Sequence, residues 1–203
     1  SVDQWPHQFA CAAMYGHQFL LPLPDVDRCD YFLMLGANPV ASNGSLMTAP
    51  GIAKRLKALA ARGKLVLLDP RRTETAQIAS EHHFVRPGSD AWFLFAFLQE
   101  LLALGPPRVA AYEGRLAHLE QALQDIASVD TSQVEARTGI ARATIARLAR
   151  EFHAAPAAVA YGRIGVSVQA WGTLCQWLLQ LVNLLSGTLD REGGMLVGEP
   201  PIP

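Results

Sequence analysis

Asp69, Arg71 and Arg72 stand directly behind the apolar run Leu65-Val66-Leu67-Leu68, with Pro70 separating the acid from the two bases. A buried strand that stops this abruptly delivers a carboxylate and two guanidinium groups to its carboxyl end. In open α/β sheets ligands bind in the crevice outside those ends, where an acid accepts from ribose hydroxyls and guanidinium groups hold phosphate. A nucleotide is therefore the first ligand to consider. The plain alternative is a surface turn closed by its own salt bridge.

Other strand ends carry the same kind of residue. Tyr31 to Leu35 runs into Gly36-Ala37-Asn38-Pro39, where glycine admits close approach of a ligand, Asn38 offers donor and acceptor, and Pro39 stops the strand. A third short strand, His83 to Arg86, empties into Pro87-Gly88, after which Ser89 or Asp90 can cap a helix. A helix start at a strand end is a natural anion site, so Gly88 to Asp90 could meet a phosphate or a base, although capping alone also accounts for Asp90. A fourth, Ala157 to Tyr161, leads into Gly162 and Gly165, with Gln169 at the opening of the next helix. GxxG is weak alone and gains weight only from lying between strand and helix.

The intervening periodicity supplies the elements that position these groups. Ala53, Leu56, Leu59 and Ala60 recur at helical spacing between the first two strands, giving a parallel crossover. A short helix is expected over 76–80, begun near Thr73. The next helix is expected to turn Trp92, Phe95, Ala96, Leu98 and Leu102 inward. Leu116, Leu119, Ala122 and Leu123 suggest another. Thr138-Gly139-Ile140 reads as the start of a helix with Ile140, Ile145, Leu148 and Phe152 in one stripe and Arg142, Arg147 and Arg150 on a solvated face. Trp171, Leu174, Leu178, Val182 and Leu185 mark the last helix. Together these elements spell an α/β fold: a doubly wound, mostly parallel sheet with flanking helices and Rossmann-like nucleotide-binding topology.

Half of the residues are hydrophobic, 17% are charged and the formal net charge is −1, so nothing calls for nucleic acid as a partner. The most apolar stretch, 92–104, is broken by Gln99 and Glu100 and is too short to be a membrane segment. Cys11, Cys29 and Cys175 are scattered singly, so neither a zinc site nor an iron–sulfur centre can be assembled from these cysteines. His82 and His83 are adjacent on a strand and point to opposite faces, His83 into a sheet or interface and His82 outward. His7 is open to a role in a site, although a polar lid residue would look the same.

Taken in order, LGANP, LxxLxxRGxxLVLLDPRRTETA, HHFVRPGSDAWFLFAFL, YGRIGVSVQ and NLLSGTLDREGG resemble the molybdopterin oxidoreductases of the dimethyl sulfoxide reductase type. The likeness covers nearly the whole chain, and it implies a bis(molybdopterin guanine dinucleotide) cofactor with molybdenum. Residues 31–197 would form the guanine-dinucleotide-binding domain, 1–30 a lead-in from the active-site region and 198–203 a linker. The resemblance implies Asp69 for the ribose or guanine, Arg71 or Arg72 for phosphate, Gly36, Asn38 and Pro39 as the neighbouring wall, and Gly88 and Asp90 completing the pocket. Gly162 and Gln169 would face it from the last glycine-rich loop, with Asn183 and Gly187 as secondary candidates near a pterin. The family's usual molybdenum ligand falls near Phe9, which cannot ligate. Cys11, two residues out of register, is read as a small core residue, so no metal ligand is assigned here.

The length suggests an internal piece of a larger enzyme whose remaining domains would be partners, together with an electron-transfer subunit, and whose other parts could carry an iron–sulfur cluster. Such a piece would be inactive by itself. The parent is expected to be cytoplasmic. Two other readings remain: a NAD(P)-binding dehydrogenase domain, which lacks a GxGxxG after the first strand, and a cofactor-free scaffold that docks a partner subunit.

Overall fold

A computed structural model describes residues 2–198; apart from Gly198, the expected 198–203 linker lies outside the described residues. In chain order the elements are α1 (Trp5–Tyr15), β1 (Leu23–Pro24), β2 (Tyr31–Leu35), α2 (Ile52–Arg62), β3 (Lys64–Leu68), β4 (Glu81–His83), α3 (Asp90–Ala103), α4 (Leu119–Ser128), α5 (Val134–Thr138), α6 (Arg142–Ala154), β5 (Ala158–Gly162), α7 (Ile164–Ser167), α8 (Gly172–Leu185) and β6 (Met195–Leu196).

The main sheet has four parallel strands in the order β4-β3-β2-β5. Its register sets Leu35 beside both Leu68 and Gly162, so β2, β3 and β5 end level along one rim. The chain enters at β2, steps outward through β3 to β4, then returns across the sheet to β5. That reversal places a topological switch point between β2 and β5. Every residue of β2 and β5 is buried, as a parallel sheet covered on both faces requires. Alpha helices α6 and α8 pack against β2 and β5, α2 packs against β3, and α3 joins α6 and α8. The doubly wound α/β expectation is met.

Two devices lock this body. Tyr31, Phe152, Phe97 and Phe93 form an aromatic seam from the sheet through α6 into α3, with successive ring centroids 5.6–5.8 Å apart. On the outer edge of β5, buried beneath α8, Asn183 accepts from Ala160 N (2.9 Å) and donates to Ala160 O (2.8 Å), satisfying backbone groups that an edge strand would leave open. Asn183 is thus fully engaged in the core, which corrects its expected approach to a pterin. Gly187 instead packs closely on the backbone of Arg108.

Several local expectations are corrected. Residues 74–78 form turns rather than a helix, because Asn38 Oδ1 takes the Thr75 N–H and hydroxyl. The third strand sits earlier, at Glu81–His83; Arg86 N instead donates to Thr138 O. Helix α3 buries Phe93, Leu94, Phe97 and Leu101 rather than Trp92, Phe95 and Leu102, because an almost wholly apolar helix carries no stripe to read. Gly139, in the left-handed conformation (φ 79°), ends α5 instead of opening a helix, and α6 begins afresh at Arg142. The stripe Ile140, Ile145, Leu148 and Phe152 is buried as expected, but Arg147 is not merely solvated: it pairs with Glu81 and Glu151.

Candidate functional site

The carboxyl rim encloses a hollow of about 440 Å³. Gly36 and Asn38 reach it from β2, Asp69 and Arg71 from β3, Gly88 and Asp90 from the β4–α3 turn, and Gln169 from the segment ahead of α8. The structure therefore gathers these seven around one space. It does not gather the rest: Pro39 is buried away from the lining, Gly162 is sealed under Leu179 and Val166, and Arg72 is exposed but does not line the hollow.

Asp69 is nearly buried at 9% exposure. Its Oδ1 accepts from Arg71 N at 2.8 Å, an Asx-type turn that aims the carboxylate over the strand end. The salt-bridged surface turn is not what forms, since Arg71 and Arg72 make no side-chain hydrogen bond or ion pair among the described residues. Asp90, 5% exposed, accepts from Gln169 Nε2 at 2.8 Å. Burial pushes its carboxyl above the ordinary Asp range, the hydrogen bond from Gln169 works against that, and the charge of Asp69 adds to it. Gln169 Oε1 is buried without a partner among the described residues, an acceptor that a ligand N–H or O–H would complete.

Other members of the lining serve the scaffold. Asn38 spends its amide on Thr75 and, through Nδ2, on Glu74 at 2.7 Å; it fixes the wall rather than presenting free atoms. Gly36 is needed for a different reason from the one its position suggests. Its φ is 53°, and a Cβ there would fall 2.8 Å from Gly165 Cα, while Gly165 N donates to Gly36 O at 2.9 Å. Two glycine backbones touch across the switch point. Gly88 has φ 79°, and a Cβ there would meet Gln169 Oε1 at 4.0 Å, an ordinary contact.

Sequence reasoning missed Ile164 and Val168 in the lining. Both are exposed apolar residues, 53% and 54% accessible; Ile164 opens the four-residue helix α7 and Val168 follows it, and so short a helix announces no face. The histidines stay outside the hollow: His82 Nε2 lies 3.0 Å from Asp69 O, and His83 pairs with Glu81 at 2.6 Å. Cys11, Cys29 and Cys175 are buried, with burial pushing each thiol up to about 12. Among the described residues no cluster of His, Cys, Asp and Glu could hold a metal ion, and no helix is long and apolar enough to cross a membrane.

Fold and rim define an α/β domain with a polar ligand hollow beside a topological switch point. No family model matches the chain. It is 30% identical over 180 residues to nitrate reductase of Klebsiella oxytoca, covering 87% of the chain and 20% of that protein. It is 27% identical over 198 residues to the molybdopterin-containing arsenate respiratory reductase subunit ArrA of Chrysiogenes arsenatis, covering 86% and 23%. Acetylene hydratase from Pelobacter acetylenicus shares the fold, with a TM-score of 0.81 and 19% identity over 97% of this chain and 26% of that one. These curated relatives include a molybdopterin-containing reductase, in keeping with the molybdopterin oxidoreductases of the dimethyl sulfoxide reductase type that the motifs resemble. It spans about a fifth to a quarter of the length of the curated relatives it matches.

Proposed function

We propose that the hollow holds the guanine dinucleotide end of one molybdopterin cofactor, within a parent enzyme that performs redox or oxygen-atom transfer on a small substrate. The observation that carries this is the donor and acceptor set on the rim. Guanine presents N–H donors on its pairing edge; Asp90 and the orphan Gln169 Oε1 are buried acceptors side by side. Asp69 is placed to accept from a ribose hydroxyl, and Arg71, rather than Arg72, lines the space where a phosphate would lie. Gly88 leaves the backbone open to close approach. The cofactor, when bound, supplies the molybdenum chemistry, while these residues orient it and exclude water. An iron–sulfur cluster, an electron-transfer subunit and the other domains would belong to the rest of the parent. Cytoplasmic siting is part of this reading, to be checked by fractionating cells; one relative is a periplasmic nitrate reductase.

The dehydrogenase reading is less well supported, because residues 36–51 separate β2 from α2 and their glycines, Gly36, Gly44 and Gly51, lie scattered instead of forming one compact GxGxxG turn. Calorimetric titration of the protein with GDP, GTP and NADH separates the readings. Guanine nucleotides are expected to bind, with Asp69→Ala and Arg71→Ala each weakening them by about tenfold or more and Arg72→Ala by little. Tight NADH binding without guanine nucleotide binding would overturn the proposal. Equal binding by all variants would favour a scaffold whose charges serve no ligand.

A further inference from the structure

A second polar cluster lies at the same rim, outside the hollow. Arg163 follows β5 directly and is 6% exposed. Its Nε donates to Ser45 Oγ at 3.0 Å and a terminal nitrogen donates to Gln4 Oε1 at 3.3 Å. Those bonds leave the remaining N–H groups of the guanidinium unspent, and among the described residues no carboxylate forms an ion pair with it. His7 of α1 is 1% exposed, and neither ring nitrogen has a partner among the described residues. The Tyr161 hydroxyl, also buried, lies against Ser45 and the Leu46 backbone without a well-formed hydrogen bond to either. Burial and the neighbouring Arg163 hold the His7 imidazole down at about 4, so the ring is neutral at pH 7 and offers one N–H.

A buried cation without a counter-ion is among the costlier features a protein can keep, and unpartnered buried donors add to that cost. The cluster is drawn from separate parts of the chain: α1, the segment after β2, and the end of β5. Ser45 stands in a stretch where Asn43, Ser45 and Thr48 all adopt left-handed backbone, a conformation held only where its surroundings over-determine it.

We propose that Arg163, His7 and Tyr161 form a binding site for a small inorganic oxyanion at the switch point between β2 and β5, separate from the nucleotide hollow. An oxyanion supplies the missing negative charge and can accept from guanidinium, imidazole and phenol together. A cation is excluded by Arg163, and a neutral ligand leaves its charge uncompensated. None of the three residues lines the hollow, so the site stands whether or not the hollow takes guanine.

The purified protein is titrated with phosphate at pH 7, with chloride at matched ionic strength as control and GDP as a separate arm, while the His7 ring nitrogens are followed by NMR and the melting temperature is recorded. Phosphate is expected to shift the His7 resonances saturably and to raise the melting temperature. Arg163→Lys should weaken the response about tenfold, since it keeps the charge but loses the planar fork. Arg163→Met should abolish it. His7 resonances that respond no more to phosphate than to chloride overturn the proposal, as does a melting-temperature rise of equal size in Arg163→Met and the unaltered protein. A response to GDP alone also overturns it, since the anion would then be part of a larger ligand. The His7 readout needs no variant, so it survives any failure of Arg163→Met to fold.

Discussion

The two rims of the sheet carry similar numbers of charged groups and treat them in opposite ways. At the amino rim, Lys64 at the start of β3 pairs with Glu81 of β4 and Glu151 of α6, both at 2.7 Å. Arg147 pairs with the same two carboxylates, and the Tyr31 hydroxyl donates to Glu151. At the carboxyl rim Asp69 and Asp90 share a neighbourhood without a paired cation, Arg71 extends unpartnered, Gln169 Oε1 is orphaned, and Arg163 is buried without a carboxylate. Equal charge with unequal satisfaction separates the two jobs: the amino rim holds the sheet together, and the carboxyl rim keeps polar groups open for ligands. This follows the rule that unsatisfied groups in a native structure collect where function requires them.

The largest test of that contrast is at Glu81. Burial works to raise its carboxyl, but hydrogen bonds from Arg147, Lys64 and His83 outweigh it and bring the group down to about 2 from 4.5. A depressed carboxyl contributes stability that is full above its unfolded value and is lost as pH falls through the folded one, so the relevant window is pH 4.5 down to 2. Glu81→Gln is expected to cost about 2 kcal/mol at pH 7, after discounting for partial exposure, and to flatten the loss of stability across that window. Urea unfolding of both proteins between pH 7 and 2.5 measures this; parallel curves would mean that the amino-rim network is decorative.

The same division explains what could be read without a structure. β2, β3 and β5 are legible because strands buried on both faces must be continuous apolar runs, and each ends in a glycine or an Asp-Pro pair. β4 is not, because Glu81-His82-His83 is a short polar edge whose register is fixed by Lys64 and Arg147 from far along the chain. Asp69, Gly88, Asp90 and Gln169 could be located because strand ends and helix starts are local signals. The scaffold role of Asn38 could not, since it depends on where Thr75 and Glu74 fold back. The cluster of His7 and Arg163 was beyond reach for the same reason: α1 must first dock on α7 and α8.

A smaller effect of opposite sign is expected at Asp90. Its carboxyl lies above the ordinary 3.8 chiefly because of burial, so the folded state holds this proton more tightly than the unfolded chain. Stability from this group is present below pH 3.8 and declines as pH rises through the folded value. Asp90→Asn keeps the shape and can still meet Gln169 while removing the charge. It should raise the melting temperature at pH 7 by about 2 °C, corresponding to less than about 1 kcal/mol. It should also weaken GDP. A variant that loses stability as Glu81→Gln does would erase the distinction between the rims.

The smallest effect, near zero on stability, belongs to Arg71 and is sharpest beside Arg147. Both are arginines with exposed tips, yet Arg147 is bound to Glu81 and Glu151 whereas Arg71 makes no side-chain bond among the described residues. Removing Arg147 strips two half-buried carboxylates of a cation; removing Arg71 takes away a solvated side chain and relieves nothing. Arg71→Ala should therefore melt within about 1 °C of the unaltered protein, in line with ordinary surface substitutions. Arg147→Ala should melt several degrees lower, by about 1–2 kcal/mol. Thermal melts in low and high salt discriminate further. Screening should narrow the Arg147 deficit and leave Arg71→Ala nearly unmoved, because Arg71 has no side-chain hydrogen bond or ion pair and acts only at a distance on the fully exposed Glu74, where solvent already damps the interaction.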